Sequence, residues 1–437
     1  MKESTNTGKR ENWSSRFGFI MAATGVAVGI GNIQRFPYLV GENGGAAFVV
    51  AYLIIMMFLA IPMTMLEIGI GQMTRKGTMD TYIACLKNKK VGTGLGAYIT
   101  LVPVGLNMYY LIVIAWALFY FGSSVLGGWV GTDTQAYYNT ISLNKPLIWG
   151  LFAVVTLVTC VIVLKGIVSG IDRACRIMIP CIFVILAILL IRSMTLDGFG
   201  EGLAFYMDPD WSKLLDWKVW LAAASQSLFS IGIGPGMMIA YGSHLREDDD
   251  VVLNSMTICF LDTAVAMLAG LAIIPATIAL GFDPASGPSL IYVVLPALFD
   301  QIFGGRVLAV LFFAAVVFAG LSSSISHLET PVSSFMDHFH WSRTRAVLIF
   351  GLITFAGGTI CVFFDEIYNV VSTYAGDYFY GLSSLISVIV FGWIFGANRI
   401  KENFNKHSDI KMGNYYSLLL KVIGTPVLAL VVLDLFI

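Results

Sequence analysis

Gly25-Val26-Ala27-Val28-Gly29-Ile30-Gly31-Asn32-Ile33-Gln34-Arg35-Phe36-Pro37-Tyr38 is a glycine-broken stretch inside an otherwise apolar run. Glycine weakens a helix interior because it has the most backbone freedom to lose. Five hydrophobic segments later, Gly232, Gly234, Pro235 and Gly236 interrupt a second run in the same way. Around these two breaks the chain of 437 residues is 57% hydrophobic and only 12% charged, about half the charged fraction of a soluble domain. The net charge of −1 leaves no basic footprint for nucleic acid. Six cysteines lie scattered, most in apolar runs and with no metal-ligand spacing, and read as buried free thiols. Residues 1–16 are polar and lack the pattern of a cleavable signal.

A bilayer is crossed by roughly 20 apolar residues. Eleven stretches qualify, near 17–39, 46–72, 96–124, 147–164, 178–194, 219–241, 252–281, 307–335, 344–363, 369–396 and 414–436, with an earlier start near Ser169 left open for the fifth. Arginine and lysine cluster before span 1 and after spans 2, 4, 8 and 10, whereas the segments at 125–146 and 195–218 are poor in them. The positive-inside rule then predicts a multi-pass protein of the plasma membrane (the inner membrane of a bacterium), N-terminus cytoplasmic and C-terminus extracellular.

Spans 1 and 6 start on opposite sides and are both broken. That predicts inverted repeats over 17–194 and 219–396, with a cytoplasmic segment at 1–16 and an appended span at 414–437. Matched broken spans point to a transporter binding site at the repeat interface, because unwound backbone offers carbonyls to cations and N–H groups to a carboxylate. Taken singly, such glycines also serve close helix packing.

The span-1 stretch, continued by Glu42-Asn43-Gly44-Gly45, strongly resembles the signature of the neurotransmitter:sodium symporter family. The likeness extends over nearly the whole chain, through Tyr109-Tyr110, Ala319-Gly320-Leu321-Ser322-Ser323-Ser324 and Trp393-Ile394-Phe395-Gly396. It is similar in kind to the eleven-span bacterial transporters of tyrosine and hydrophobic amino acids. The resemblance implies an all-α membrane protein of eleven transmembrane helices in the LeuT-like five-plus-five inverted repeat, helices 1 and 6 broken. It implies a symporter, not an enzyme, with two sodium ions and an amino acid (Tyr, Trp, Phe, Leu or similar) as cargo.

By the same resemblance, one sodium site takes the carbonyls of Gly25, Val28 and Ala319 and the hydroxyls of Ser322 and Ser323. The other takes Ala27, Asn32, Ser230 and the substrate carboxylate, with Asp262 where the family's leucine transporter has asparagine. An acid inside a span is costly unless paired and is a functional candidate by default; a structural acid bonded between helices is the alternative. Tyr52, Gln226 and Ser230 match the surroundings of chloride in chloride-dependent members. Asp262 would supply that charge itself, so no chloride requirement is expected.

Gly29 replaces the aspartate that amine transporters of the family use for the substrate amine, which favours a substrate carrying its own carboxylate. The implied pocket is Ala27, Gly29, Gly31, Leu106, Tyr110, Val113, Phe229, Ser230, Gly232, Ile233, Phe318, Ser324 and His327. For His327, a bond to a substrate hydroxyl competes with a bond to a neighbouring helix. The implied gates are Arg10, Trp13 and Asp337 inside, Arg35 and Gln226 outside. The usual outer acid is missing: Ser372 stands there, with Asp377 five residues on.

Two other classes fit less well. Gly320-Leu321-Ser322-Ser323 matches the Gly-x-Ser of intramembrane serine proteases. Those need a mid-span histidine on a later helix, and beyond the loop residues His338 and His340 only His407 follows, also in a loop. A non-transporting sensor would not need the full set of sodium ligands and gates.

Overall fold

The structure is a computed structural model and describes residues 11–287 and 290–435. Within them there is no β-strand. A spanning backbone surrounded by lipid must satisfy its own N–H and C=O groups, which leaves helices as the solution here.

In chain order, α1 is Arg16–Ala27 and α2 Gly31–Glu42, meeting at a bend of 55°. Then come α3 (Ala46–Thr74), α4 (Lys89–Leu126), α5 (Lys145–Leu164) and α6 (Ile167–Ser193). Next are α7 (Trp217–Ile231) and α8 (Met237–Gly242), followed by α9 (Val251–Ala279), α10 (Gly305–Phe339), α11 (Arg343–Phe363), α12 (Asp365–Phe404) and α13 (Tyr415–Asp434). Among the described residues nine helices are long and apolar enough to cross a membrane, ten if α1 and α2 form one span. Short helices at Thr78–Cys85, Thr134–Leu143 and Phe199–Met207 lie between them and left no mark on the hydropathy pattern.

The boundaries move outward from the apolar runs. α6 begins at Ile167, close to the earlier of the two starts open for the fifth span, because its first turns are polar and held by partners. Arg176 Nε donates to Asp172 at 2.5 Å and Nη2 to Ser15 Oγ at 2.7 Å. α4 likewise starts at Lys89, capped by the Asn88 side chain, and not at 96.

Each glycine-rich stretch is a helix end. At the first, Val28 is extended (φ −72°, ψ 103°), and the Asn32 amide oxygen accepts the Gly29 N–H at 3.0 Å in place of a helical carbonyl. A π-helical turn, Gly31–Arg35, follows. At the second, Gly232, Gly234 and Gly236 adopt φ +80°, +109° and +78°, a region other L residues seldom enter. The freed Gly234 N–H donates to the Glu67 carboxylate at 2.9 Å, and the Ile233 carbonyl accepts from Ser384 Oγ at 2.9 Å.

α4 and α10 pack along one another at the centre, with α1, α5, α6, α11 and α12 against them. The outer faces of α5, α6 and α11 stay apolar and exposed, as at Leu157, Ile191 and Leu352. Apolar surface on that scale suits hydrocarbon and not water.

Candidate functional site

The two breaks face each other, and between them the Asp262 carboxylate is fully buried. It accepts from Asn32 Nδ2 at 2.7 Å, from Ser230 Oγ at 2.8 and 3.0 Å, and from the Tyr52 hydroxyl at 3.4 Å. All three partners are neutral. A buried charge without a counter-charge is heavily penalised. Oxygen-rich surroundings of this kind suit a hard cation. Asn32 Nδ2 also approaches Ser230 Oγ at 3.0 Å, so Asn32, Ser230 and Asp262 form one cluster, with Ala27 lining the adjoining cavity. The Asn32 oxygen itself is turned to Gly29 N, so the carboxylate is the dominant oxygen donor of this cluster.

The second predicted set also converges. Ser322 Oγ lies 3.2 Å from the Val28 carbonyl and 2.9 Å from that of Ala319. Ser323 Oγ lies 3.4 Å from the carbonyls of Gly25 and Val28 and 3.3 Å from that of Ala319. Gly25 sits in a tight spot: a Cβ there would be 3.0 Å from Cys175 Sγ and 3.1 Å from Ser322 Cβ, so those neighbours would have to give by a few tenths of an ångström. Two hydroxyls and three carbonyls around one point again match a hard monovalent cation. No group of three His, Cys, Asp or Glu side chains gathers among the described residues, so no transition-metal site competes.

A narrow cavity runs beside both clusters. Ala27, Gly29, Gly31, Tyr110, Phe229, Ser230, Gly232 and His327 line it, as expected from the sequence. The Tyr110 hydroxyl accepts the Ile30 N–H at 3.0 Å, which leaves its own proton free to donate. Val113 lines a wider vestibule of about 270 Å³ next to it, with Arg35 and Tyr109.

Four expected pocket residues do not line either space. Leu106 packs behind the wall against Val102, Ala375 and Tyr380. Ile233 is buried in the break with its carbonyl given to Ser384, and Phe318 lies in a partly buried layer outside. Ser324 Oγ faces Thr159 of α5 at 3.2 Å, because one residue along a helix rotates the side chain by about 100°. Val26, Met237 and Tyr380 line the cavity without having been singled out. Tyr380 donates to the Leu228 carbonyl at 3.1 Å at the end of α7. Nothing in the periodicity of span 10 marks it.

Of the gates, Arg10 lies outside the described residues. Trp13 is buried, its ring N–H on the Tyr241 carbonyl at 3.1 Å and its backbone N–H on the His244 carbonyl at 3.3 Å. Asp337 accepts the Gly77 N–H at 2.5 Å. Arg35 donates to Gln226 Oε1 at 3.2 Å and Ser225 Oγ at 3.1 Å and lies over the Phe229 ring. Asp377 makes no hydrogen bond to it.

The sequence profile of the sodium:neurotransmitter symporter family matches residues 10–145 and 134–437. The chain belongs to that family. An uncharacterized sodium-dependent transporter of Methanocaldococcus jannaschii is 32% identical, over 97% of this chain and 90% of its own. The human sodium- and chloride-dependent GABA transporter 2 is 29% identical, over 92% of this chain and 76% of its own. Among solved structures, MhsT in complex with L-phenylalanine superposes with a TM-score of 0.87 at 34% identity, covering 98% of this chain and all of that one. The protein is therefore a sodium-dependent membrane symporter and not an enzyme.

Proposed function

We propose that this symporter imports a large hydrophobic or aromatic L-amino acid, driven by two sodium ions and without chloride. The observation that carries the reading is the Asp262 carboxylate, fully buried among the neutral partners Asn32, Ser230 and Tyr52. It supplies a fixed negative charge beside a cation, the charge that a chloride ion would otherwise bring. The spacious, mostly apolar vestibule and the L-phenylalanine bound by MhsT support a bulky substrate.

In this reading the substrate carboxylate accepts from Tyr110 and from N–H groups freed at the first break, and completes the sodium shell at Asn32 and Ser230. Substrate and that ion then stabilise each other, which couples their movements. The second ion bridges α1 to α10 through Gly25, Val28, Ala319, Ser322 and Ser323. Ten spans in two inverted repeats and an eleventh appended, with α7 and α8 as one broken span, would place this site at mid-membrane, N-terminus inside and C-terminus outside. Alternating access opens Arg35 and Gln226 on one side, or Trp13 and Asp337 on the other.

Uptake of labelled amino acids into proteoliposomes tests this. An inward sodium gradient should drive uptake equally in chloride and in gluconate, with competition from large apolar amino acids. A strict chloride requirement, or potent competition by glycine alone, would overturn it.

A further inference from the structure

Lys421 interrupts the apolar run of α13 on its second turn, about 9 Å along the axis from Tyr415. Its neighbours Leu418 and Val422 are each 61% exposed, so this face of the helix looks out of the protein into hydrocarbon. The Lys421 ammonium lies 5.0 Å from the centre of the Trp393 ring on α12. That ring is half exposed, and its N–H donates to Thr425 Oγ1 at 2.9 Å, which fixes it beneath the lysine. Both residues belong to π-helical stretches, Val388–Gly396 and Leu419–Gly424, that pack together. Such stretches are rare and gather at functional sites. Among the described residues the Lys421 ammonium makes no hydrogen bond and no ion pair. An ammonium carries three N–H donors, and a charge inside a span is costly unless it is paired. A second cation, the exposed Arg399, lies over the Phe395 ring where α12 leaves its apolar run.

We propose that Lys421 and Trp393 form a binding site for the headgroup of an anionic phospholipid at the edge between α12 and α13. The lipid phosphate is the acceptor that the ammonium lacks. It lies within reach of a lysine stem that bends along the helix toward the membrane surface. Tryptophan belongs at this boundary too, since its ring body is apolar and its N–H polar. Leu418, Val422 and Ile394 are exposed beside the pair and give the acyl chains an apolar face to lie on. Arg399 adds positive charge at the same end of α12, so a lipid of net negative charge is favoured over a zwitterionic one with the same chains. A free phosphate ester would meet the cations without the apolar face, and would bind more weakly.

The delipidated full chain in detergent provides the test, titrated with phosphatidylglycerol or with phosphatidylcholine of the same chains, and with bound lipid counted by native mass spectrometry. Wild type should take up its first phosphatidylglycerol about fivefold more tightly than phosphatidylcholine, the effect of roughly one basic residue beside an anionic headgroup. Lys421→Gln should bring that preference near parity, Lys421→Arg should keep it, and Trp393→Leu should weaken it. Lys406→Gln, which removes an exposed cation outside the span, should leave it unchanged. Equal binding of the two lipids by wild type, or an unchanged preference in Lys421→Gln, would overturn the site and mean that the lysine only reaches water. Displacement of phosphatidylglycerol by an equal concentration of glycerol 3-phosphate would overturn the lipid assignment in favour of a soluble phosphate.

Discussion

Asp262 and Asn32 are joined by a 2.7 Å hydrogen bond between α9 and the first helix break, wholly out of solvent contact. The carboxamide ties the start of α2 to α9, while its oxygen holds the Gly29 N–H and so fixes the bend itself. One residue pair thus shapes the cavity and sets the charge beside it.

Replacing that charge gives the first prediction. In Asp262→Asn the cluster keeps its shape and loses its negative charge. Sodium-driven uptake in gluconate should fall by about tenfold or more, since hydrogen bonds and ion contacts to a charged group contribute about 1.5–3 kcal/mol each. Chloride should restore part of it through Tyr52, Gln226 and Ser230. Uptake that is unchanged and still indifferent to chloride would contradict the assignment.

Gly29 brings the backbone against the central cavity. A Cβ there would lie 2.8 Å from the Tyr110 hydroxyl and 2.9 Å from Ser323 Oγ. Overpacking of this kind costs about 1–3 kcal/mol. Gly29→Ala should raise the substrate KM by about tenfold or more, with the protein still monodisperse on size exclusion. Normal KM would show that the cavity lies elsewhere.

The neighbouring serines 323 and 324 should behave differently although the sequence presents them as equals. Ser323→Ala removes a hydroxyl that faces four carbonyls, and should raise the sodium concentration for half-maximal uptake severalfold. Ser324→Ala removes only the bond to Thr159. Its sodium curve should be unchanged and its stability lower by about 1 kcal/mol. Sodium titrations of both variants decide this, and equal shifts would refute it.

Glu11 fastens residues 11–15, a strap ahead of α1, to α6. Its carboxylate accepts the N–H groups of Ile167 at 3.4 Å and Val168 at 3.2 Å, and its carbonyl meets His244 Nδ1 at 2.6 Å. Losing such a cap costs about 1 kcal/mol. Glu11→Gln should expose the buried Cys175 beside Gly25, and its alkylation rate in a variant with that single cysteine should rise about fivefold. An unaltered rate would mean that the strap does not restrain α6.

Legibility tracked the kind of signal. The first break was readable because glycine density in an apolar run has few other uses, and Asp262 because an acid in such a run is rare. The start of α6 was legible only as one of two alternatives, because Asp172, Arg173 and Arg176 look like loop residues until Ser14 and Ser15 are seen beside them. Glu11 gave no signal, since its partners are backbone N–H groups distant in sequence.

By itself the sequence determined that this chain is a helical membrane protein with two matched breaks, since hydropathy and glycine placement are local properties. The resemblance of its motifs named the candidate ligands. Only the tertiary structure decided which of them meet. Ser322 and Ser323 turn to the first break while Ser324 turns to α5; Tyr380 enters the cavity wall and Leu106 stays behind it. Those outcomes depend on how each helix is rotated against its neighbours, a long-range packing result that no stretch of one helix encodes alone.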